Sequence, residues 1–473
     1  MKRTILPFLL LIMMQANSQS KNFIVILTDD QGYEDLGCFG SKRMNTPNID
    51  KLAKEGMKLT SFYTSSSVCS PSRASLLTGR MPKRVGVPAV LFPNSKTGLP
   101  ETEITIAELL KSKGYKTAVI GKWHLGHLKQ FLPTNQGFDY YFGLPYSNDM
   151  SIAKELQISK NIKLNNGYTL NKLKTDQQQT ELNRKDKSIK NIMPLMRNEE
   201  VVEYPVDQSQ LTKRYTQEAV SFIKRNKKNP FFLYLPHTMP HHPLYVSKDF
   251  DGSSGNGVYT DAIQEVDWSV GQIVKTLKES GLDKETFILF CSDNGPANRY
   301  NNPEWASAGP LRGVKFDTFE GGQRVPAIVW APGTIKPNTE SDEITSTLDI
   351  LPTIAHYTGI ALPQNRIYDG YNLTDLFRGE TIISPRKEVY FYTANRKTIE
   401  GIRVGDWKYL EKGSRFTTLN NKGEKPTKLV GDIKPMLFNL NKDVIERANV
   451  FDKYPEKVTE LKRKMKEFDA SIK

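Results

Sequence analysis

Short apolar runs rich in β-branched and aromatic residues recur along the chain, and each ends abruptly in polar side chains. Four of these runs cover residues 23–27, 117–120, 231–235 and 287–290. They are continuous rather than alternating, which is typical of strands buried on both faces of a parallel sheet. Stretches with helical spacing lie between them, at residues 104–113, 211–225 and 261–280. This alternation predicts an α/β fold with a large, mostly parallel sheet flanked by helices.

The pattern changes in two places. A segment over about residues 150–200 is rich in Lys, Asn and Gln. It predicts a polar insertion that is either solvated or shapes the rim of a pocket. Beyond residues 379–386 come shorter β-like pieces and an amphipathic terminal helix. We therefore expect a larger domain over residues 21–380 and a smaller α+β subdomain with a small sheet over residues 381–473.

Residues 1–20 have the layout of a secretory signal peptide. Lys2 and Arg3 precede an apolar run over residues 5–14, and small residues follow at 16–18. The run is too short to span a bilayer, and no second long apolar run follows it. The sequence therefore predicts an exported protein, periplasmic or secreted, without an integral membrane segment.

The charge is strongly positive, with a formal net value of +14 at pH 7. One interpretation is solubility, because much of the charge lies in polar segments. The other is attraction to polyanions. Nucleic acid is disfavoured as a partner, because no recognition motif appears and export would separate the protein from it.

Cysteine is rare in this chain, which contains only Cys38, Cys69 and Cys291. A small secreted protein held together by disulfides would contain more cysteine. We expect Cys38 and Cys291 to be small buried residues rather than partners in a bridge.

Acidic and amide side chains follow the first and last of the four predicted strands. Asp29 and Asp30 come after residues 23–27, and Asp293 and Asn294 come after residues 287–290. Ligands of open α/β sheets bind at the carboxyl ends of strands, so these side chains should share one site. Oxygen ligands favour Ca²⁺ or Mg²⁺. The alternative for any one such pair is the capping of a helix or turn.

Histidines follow the other two predicted strands. Five of the six histidines of the chain fall in two short clusters, His124 with His127, and His237 with His241 and His242. Clustering at strand ends favours acid–base chemistry or anion binding. Zinc ligation is the competing interpretation, but neither cluster has the spacing of a metalloprotease.

The stretch Cys69-Ser70-Pro71-Ser72-Arg73, followed by Leu77-Thr78-Gly79-Arg80, resembles the signature of the type I sulfatases. Pro71 fits the first turn of a helix, which places Cys69 at a helix N-terminus. Free N–H groups and the helix dipole favour an anion there. The alternative is an ordinary buried cysteine that opens a helix.

Further segments carry the same resemblance in the order of the family, and it covers most of residues 20–470. They are Asp29-Asp30-Gln31-Gly32, Gly121-Lys122-Trp123-His124-Leu125-Gly126, His241-His242-Pro243-Leu244, Ser292-Asp293-Asn294-Gly295, and Leu311-Arg312-Gly313-Val314-Lys315 with residues 320–326. The chain is thus similar to arylsulfatase A-like members of the alkaline phosphatase superfamily. The segment around residues 150–190 matches no motif of the family.

The resemblance implies that a formylglycine-generating enzyme converts Cys69 to formylglycine, whose hydrate attacks sulfur. It implies that Ca²⁺, or Mg²⁺, is held by Asp29, Asp30, Cys69, Asp293 and Asn294. Asp293 would also help to deprotonate the attacking hydroxyl. Arg73 would hold the hydrate, and Lys122 and Lys315 would bind the sulfate oxygens. His241, assisted by Lys315, would protonate the leaving oxygen, and His124 would take the proton of the second hydroxyl.

The substrate implied by the resemblance, export and basic charge is a sulfated carbohydrate, attacked at a terminal sugar. The candidates for sugar contacts lie near the core motifs, and they are Tyr146, Asn148, Asp149, Arg299 and Trp305, with His237 as a second candidate for the acid. Two alternatives stay open. One is a phosphoester or phosphonate-ester hydrolase of the same superfamily, and the other is a non-catalytic glycan-binding protein. The sequence leaves the oligomeric state open.

Overall fold

The computed structural model describes residues 22–182, 188–297, 306–392, 399–411 and 434–472. Its largest feature is a sheet of twelve strands within these residues. They are β1 (Asn22–Thr28), β2 (Met57–Tyr63), β3 (Lys116–Ile120), β4 (Tyr140–Gly143), β5 (Gln157–Leu164), β6 (Leu195–Arg197), β7 (Glu200–Tyr204), β8 (Phe231–Pro236), β9 (Thr286–Ser292), β10 (Arg324–Trp330), β11 (Thr339–Ser341) and β12 (Thr345–Ser346).

The strand order is β11-β2-β10-β9-β1-β8-β3-β4-β6-β7-β5, with β12 also beside β2. Most neighbours pair parallel, and β10 and β6 run antiparallel to their neighbours. The four predicted strands are β9, β1, β8 and β3, which are consecutive in the middle of the sheet. Every residue of β1, β8 and β9 is buried. This confirms the predicted fold and explains the continuous apolar runs, since both faces of these strands are covered.

Helices flank the sheet. They are α1 (Pro47–Glu55), α2 (Cys69–Thr78), α3 (Pro82–Val85), α4 (Ile106–Lys111), α5 (Leu170–Leu182), α6 (Leu211–Arg225), α7 (Val258–Glu279), α8 (Glu320–Gln323), α9 (Ile350–Thr358), α10 (Thr374–Arg378) and α11 (Pro455–Ser471). The prediction for α6 is confirmed, and α7 begins three residues earlier than predicted. α4 is shorter, because a capping box between Thr105 and Glu108 sets its start.

The polar segment at about residues 150–200 extends the main sheet. It contributes β5, β6, β7 and the helix α5, and β5 forms the far edge of the sheet. The side chains of β5 are all exposed or partly buried, as expected for an edge strand. Just before β5, Oε2 of Glu155 lies 2.9 Å from Nε2 of His127, which follows β3, so the segment also contacts the loop after that central strand.

A second, smaller sheet follows near the C-terminus. Its antiparallel strands are β13 (Glu388–Tyr392), β14 (Ile399–Val404), β15 (Trp407–Leu410) and β16 (Met436–Asn439). α11 packs on this sheet through Val458, Leu461 and Met465. The predicted small sheet and terminal helix are therefore present, whereas the domain boundary near residue 380 stays a prediction.

Buried charges join the two sheets. Lys408 of β15 lies between Glu320 and Glu446, at 3.0 Å and 2.9 Å from their Oε1 atoms. Burial opposes the ionisation of Glu320, but Lys408 and two arginines lower its pKa to about 2. The N–H of Glu320 also donates to Oε2 of Glu446. Breaking a buried pair leaves an uncompensated charge, so these contacts hold the second sheet against the segment that begins at Glu320.

Two other expectations concern export and the cysteines. The predicted signal peptide at residues 1–20 lies outside the described residues. Among the helices that the structure describes, none combines the length and apolar character needed to cross a membrane. Cys38, Cys69 and Cys291 are all free thiols, Cys38 partly buried and Cys291 fully buried. The prediction that Cys38 and Cys291 form no bridge is confirmed.

Candidate active site

The carboxyl ends of four neighbouring strands converge on one edge of the main sheet. β1 leads into Asp29 and Asp30, and β9 leads into Asp293 and Asn294. The two strands are in register at their last residues, and the N–H of Asp30 donates to Oδ1 of Asp293 at 3.2 Å. Asp30 has a φ of +64°, a conformation that residues other than glycine adopt rarely and mainly at functional sites. The prediction that these side chains lie together is confirmed.

Cys69 is the first residue of α2, as predicted from Pro71, and it is 2 % exposed. Its Sγ lies 3.6 Å from Oδ1 of Asp29 and 3.3 Å from Nζ of Lys315. Burial raises the pKa of the Cys69 thiol to about 12, although Lys122 and Lys315 oppose the shift. A thiol that stays protonated at neutral pH is a poor nucleophile. The geometry therefore places Cys69 centrally but does not activate it as a thiolate.

Arg73, one turn along α2, is fully buried and fixes its neighbours. Its Nε and Nη2 donate to Oδ2 of Asp293 at 2.9 Å and 2.8 Å, and its Nη1 donates to the carbonyl of Lys122 at 2.8 Å. Nη2 also lies 3.6 Å from Oδ1 of Asp29. The guanidinium thus ties the ends of β1, β3 and β9 together, a positioning role that the resemblance alone does not indicate.

Two lysines from different loops face the carboxylates. Nζ of Lys122, after β3, lies 2.5 Å from Oδ2 of Asp29. Nζ of Lys315, in the loop before α8, lies 2.5 Å from Oδ1 of Asp30. Burial opposes the charge on Lys315, yet Asp30 raises its pKa above the usual value. Both ammonium groups thus lie against carboxylates of the cluster around Cys69, where they can bind an anion.

His241, after β8, faces the same cluster through Nε2, which lies 3.5 Å from Oδ2 of Asp30 and 3.2 Å from Oγ of Ser147. Its Nδ1 lies 2.9 Å from Oδ1 of Asn148 and 2.6 Å from the carbonyl of His242. These acceptors place a proton on Nδ1 and fix the orientation of the ring. Burial lowers the pKa of His241 to about 3, and Asp30 acts in the opposite direction.

His124, after β3, is buried and has a φ of +60°. Its Nε2 lies 2.9 Å from the carbonyl of Leu91, so Nε2 donates and Nδ1 is left as the acceptor. Nδ1 is buried and makes no hydrogen bond among the described atoms. Burial and Lys122 hold the pKa of His124 well below the usual value. A neutral imidazole with a free acceptor nitrogen is suited to receiving a proton.

The residues fit a divalent cation. Asp29, Asp30, Cys69 and His241 place potential ligand atoms within 4.8 Å of one another. Oδ2 of Asp30 and Oδ1 of Asn294 are buried and lack a hydrogen-bond partner in the described part of the chain, whereas buried polar atoms normally have one. A cation would satisfy both. The set includes His241, which was not predicted as a ligand, and the carboxylate of Asp293 is shared with Arg73.

A protein-family model described as Sulfatase matches residues 21–360 of this chain. The chain belongs to the sulfatase family. It is 36 % identical over 447 residues to arylsulfatase A of Homo sapiens, covering 92 % of this chain and 84 % of that protein. It is 36 % identical over 410 residues to N-acetylgalactosamine-6-sulfatase of Rattus norvegicus, covering 82 % and 71 %. The crystal structure of PsFucS1 sulfatase from Pseudoalteromonas sp. superposes with a TM-score of 0.80 at 30 % identity, covering 96 % and 91 %.

These likenesses confirm the family and the fold that the sequence predicted. The protein is a sulfatase, an enzyme that hydrolyses sulfate esters. The alternative of a non-catalytic glycan-binding protein is therefore set aside. Members of this family typically use a metal ion, and the buried group of Asp29, Asp30, Cys69 and His241 could hold one.

The predicted sugar contacts of this sulfatase differ in their burial and in the residues that they contact. Tyr146 is fully buried and its hydroxyl contacts His127. Asn148 is fully buried against His241. Asp149 is partly buried and close enough to act on the pKa of His241. Arg299 and Trp305 lie outside the described residues.

His237, the second candidate for the acid, lies deeper in the sulfatase. It is fully buried, and its Nε2 lies 3.3 Å from Oγ of Ser269 in α7. Burial lowers its pKa to about 4. His237 thus contacts a helix behind the sheet edge, whereas His241 faces the carboxylates.

Sequence reasoning missed Ser147 altogether. Its Oγ accepts from Nζ of Lys122 at 3.1 Å and contacts His241, so it links a cation to the imidazole. It follows β4, whose four residues are too few to be recognised as a strand from their pattern. The one indication in the sequence was its position between Tyr146 and Asn148, which were both predicted as sugar contacts.

Proposed function

We propose that this sulfatase removes sulfate from the terminal sugars of sulfated polysaccharide fragments, using formylglycine made from Cys69 and one divalent cation, Ca²⁺ or Mg²⁺. The observation that carries the proposal is the position of Cys69. Its side chain lies at a helix N-terminus, 3.3 Å from one buried ammonium and 3.6 Å from a buried carboxylate. An oxygen at this position can be deprotonated by a carboxylate while a sulfate group is held by cations.

The thiol itself is unsuited to the reaction because burial keeps it protonated. Formylglycine at position 69 would supply a hydrated aldehyde whose oxygen attacks sulfur. Asp29, Asp30, Asp293 and Asn294, with position 69, would hold the cation, which would withdraw charge from the attacking and sulfate oxygens. Asp30 and Asn294 support this assignment through their unpartnered buried oxygens.

The side chains of this chain then have distinct roles. Lys122 and Lys315 bind the sulfate oxygens and stabilise the charge that spreads over them as the S–O bond to the sugar breaks. To protonate the departing sugar oxygen, His241 must carry a proton on Nε2 as well as on Nδ1; burial opposes this charged form, Asp30 favours it, and Lys315 lies beside it. His124 accepts a proton at Nδ1 when the enzyme is regenerated. Arg73 keeps Asp293 and the backbone of Lys122 in place.

Several observations favour a carbohydrate attacked at its end. Cys69, Lys122 and His241 are all buried, so the sulfate group must enter a recess. A terminal sugar reaches into such a recess more easily than a sugar in the middle of a polymer. One relative is named N-acetylgalactosamine-6-sulfatase, after an amino sugar. The net charge of +14 attracts polyanionic fragments.

Export and maturation complete the proposal. The charged, apolar and small residues of the first twenty positions support export to the periplasm or beyond. Conversion of Cys69 requires a formylglycine-generating or other sulfatase-maturing enzyme as a transient partner. The phosphoester alternative has less support, because two-metal hydrolases need a second ligand set. One potential ligand group is present among the described residues.

The decisive experiment is a substrate panel. The enzyme, co-produced with a formylglycine-generating enzyme and supplied with Ca²⁺, is given defined sulfated oligosaccharides beside matched phosphate esters. We expect inorganic sulfate from one class of sugar, faster from terminal than from internal positions, and at least about 10²-fold less phosphate. Faster release from internal positions would overturn the exo assignment. Cleavage of aryl sulfates alone would overturn the carbohydrate assignment, and preferential phosphate release would favour the alternative.

Removal of divalent cations is a further test. Treatment with a chelator followed by desalting should lower kcat by at least about 10²-fold, because the charge on the sulfate oxygens loses its cation. Ca²⁺ should restore activity more fully than Zn²⁺, since the donor atoms are mainly oxygens. Asp30→Asn should need much more Ca²⁺ for half-maximal activity, whereas the exposed Glu467→Gln serves as the matched control. Full activity after chelation, with metal analysis showing no bound ion, would contradict the proposal.

A further inference from the structure

Phe316 combines two features that ordinary folding does not explain. It is the exposed phenylalanine among the described residues, with 40 % of its surface accessible. It also has a φ of +78°, in the left-handed region that disfavours bulky side chains. A partly exposed aromatic residue with a disfavoured backbone conformation is a reason to look for a function, because strain of this kind collects at functional sites.

The local backbone shows why φ is positive. The N–H of Asp317 donates to the carbonyl of Val314 at 2.9 Å, which closes a four-residue turn with Phe316 in its third position. A φ near +80° in that position is the value of a type II turn, where glycine or asparagine is favoured. The N–H of Val314 donates to the Asp317 carboxylate, and the N–H of Phe316 donates to the carbonyl of Ser67. The turn is therefore fixed from both sides, and the side chain of Phe316 has no part in these bonds.

The ring lies beside the reacting groups. Nζ of Lys315 is 5.8 Å from the centroid of the Phe316 ring. The same Nζ is 3.3 Å from Sγ of Cys69. The turn is also anchored at Ser67, two residues before Cys69. An ester whose sulfate lies between Lys315 and position 69 would have its organic group within reach of this ring.

We infer that Phe316 is a specificity-determining residue that stacks against the flat, CH-rich face of the ring bearing the sulfate ester. This deepens the proposed function and rests on it, since it assigns a binding surface to the organic part of the substrate. An exposed aromatic face beside buried charges offers apolar contact to a pyranose or aryl ring. The polar groups of the site bind sulfate, which every substrate shares, so discrimination must come from contacts such as this one.

The test compares ring-bearing with ring-free esters. Phe316→Gly and Phe316→Asn remove the ring but accept the turn, and Phe316→Trp keeps an aromatic face. For the first two variants we expect the KM for ring-bearing sulfates, relative to propyl sulfate, to rise roughly tenfold, with kcat changed much less. Phe316→Trp should restore the ratio. Ile382→Gly, at an exposed apolar residue of another loop, is the matched control.

Thermal unfolding separates this role from a structural one. Because glycine relieves the strain at φ +78°, Phe316→Gly should unfold at the same temperature as the wild type or higher. A lower Tm with equal loss on propyl sulfate would mean that the ring supports the loop, and would overturn the inference. An unchanged KM ratio would overturn it as well. The ratio is read separately on sugar sulfates and on 4-nitrophenyl sulfate. A wild type that cleaves 4-nitrophenyl sulfate and propyl sulfate but no sugar sulfate would therefore contradict the carbohydrate proposal while still testing Phe316.

Discussion

Cys69→Ala should abolish sulfate ester hydrolysis, with kcat reduced by about 10⁶-fold, the scale seen when a covalent nucleophile is removed. The change removes the thiol that the proposed conversion replaces with an aldehyde oxygen, and it leaves the buried carboxylates and lysines in place. The fold should survive, because Cys69 is a small residue at the start of a helix that ends normally at Gly79. The measurement is initial-rate release of sulfate from the best substrate, with circular dichroism and Tm to verify folding.

Two comparisons test this prediction further: a control variant at a second cysteine, and enzyme produced without the maturing enzyme. Cys38→Ala changes a partly buried free thiol in a short 3₁₀ helix, and it should retain activity close to that of the wild type. Enzyme produced without a formylglycine-generating enzyme should be nearly inactive. Peptide mass should show an intact thiol at position 69 in that preparation and its loss in the active one. Full activity with an intact thiol would rule out formylglycine, and substantial activity of Cys69→Ala would rule out position 69 as the nucleophile.

The central strands were predictable because of where they lie. β1, β3, β8 and β9 are neighbours in the middle of the sheet, and burial on both faces requires the continuous apolar runs that reveal them. β10 was not predicted as a strand, because Pro326 interrupts its apolar pattern, and only its first three residues fall within a family motif. The structure accommodates Pro326 at a shift of register against β2, where a missing N–H breaks no ladder bond. Short strands such as β6 and β12 leave too few positions for a period to appear.

The candidate site shows a similar limit. Asp29, Cys69, Lys122 and Lys315 could each be found from local motifs, and parallel strands explain why they meet. The contacts that orient them join residues far apart in the chain, such as Arg73 with Asp293. Nothing in a local pattern encodes such a pair. Asn148 illustrates the difference, since its position next to a motif indicated a functional role but not that it holds His241 rather than a sugar.

His241→Ala should reveal its role through the leaving group. If Nε2 protonates the departing oxygen, kcat on a sugar sulfate should fall by about 10³-fold, the middle of the range for general acid catalysis. On 4-nitrophenyl sulfate, whose leaving group needs no proton, the loss should be less than about tenfold. The rate on a series of aryl sulfates should also depend more steeply on the pKa of the leaving phenol. Equal losses on both classes would mean that His241 only binds sulfate or the cation.

Asn148 provides the matched second variant. Its Oδ1 and the carbonyl of His242 keep Nδ1 of His241 as a donor, so that Nε2 is the nitrogen that faces the cluster. Asn148→Ala should therefore reproduce the dependence on the leaving group in weaker form. The double variant should be no slower than His241→Ala, because residues that act as a unit are not additive. An additive loss would mean that Asn148 contacts the substrate independently. If both variants lose activity without any dependence on the leaving group, Lys315 is the remaining candidate for the proton donor. Its Nζ lies 3.3 Å from Sγ of Cys69, and Asp30 raises its pKa above the usual value.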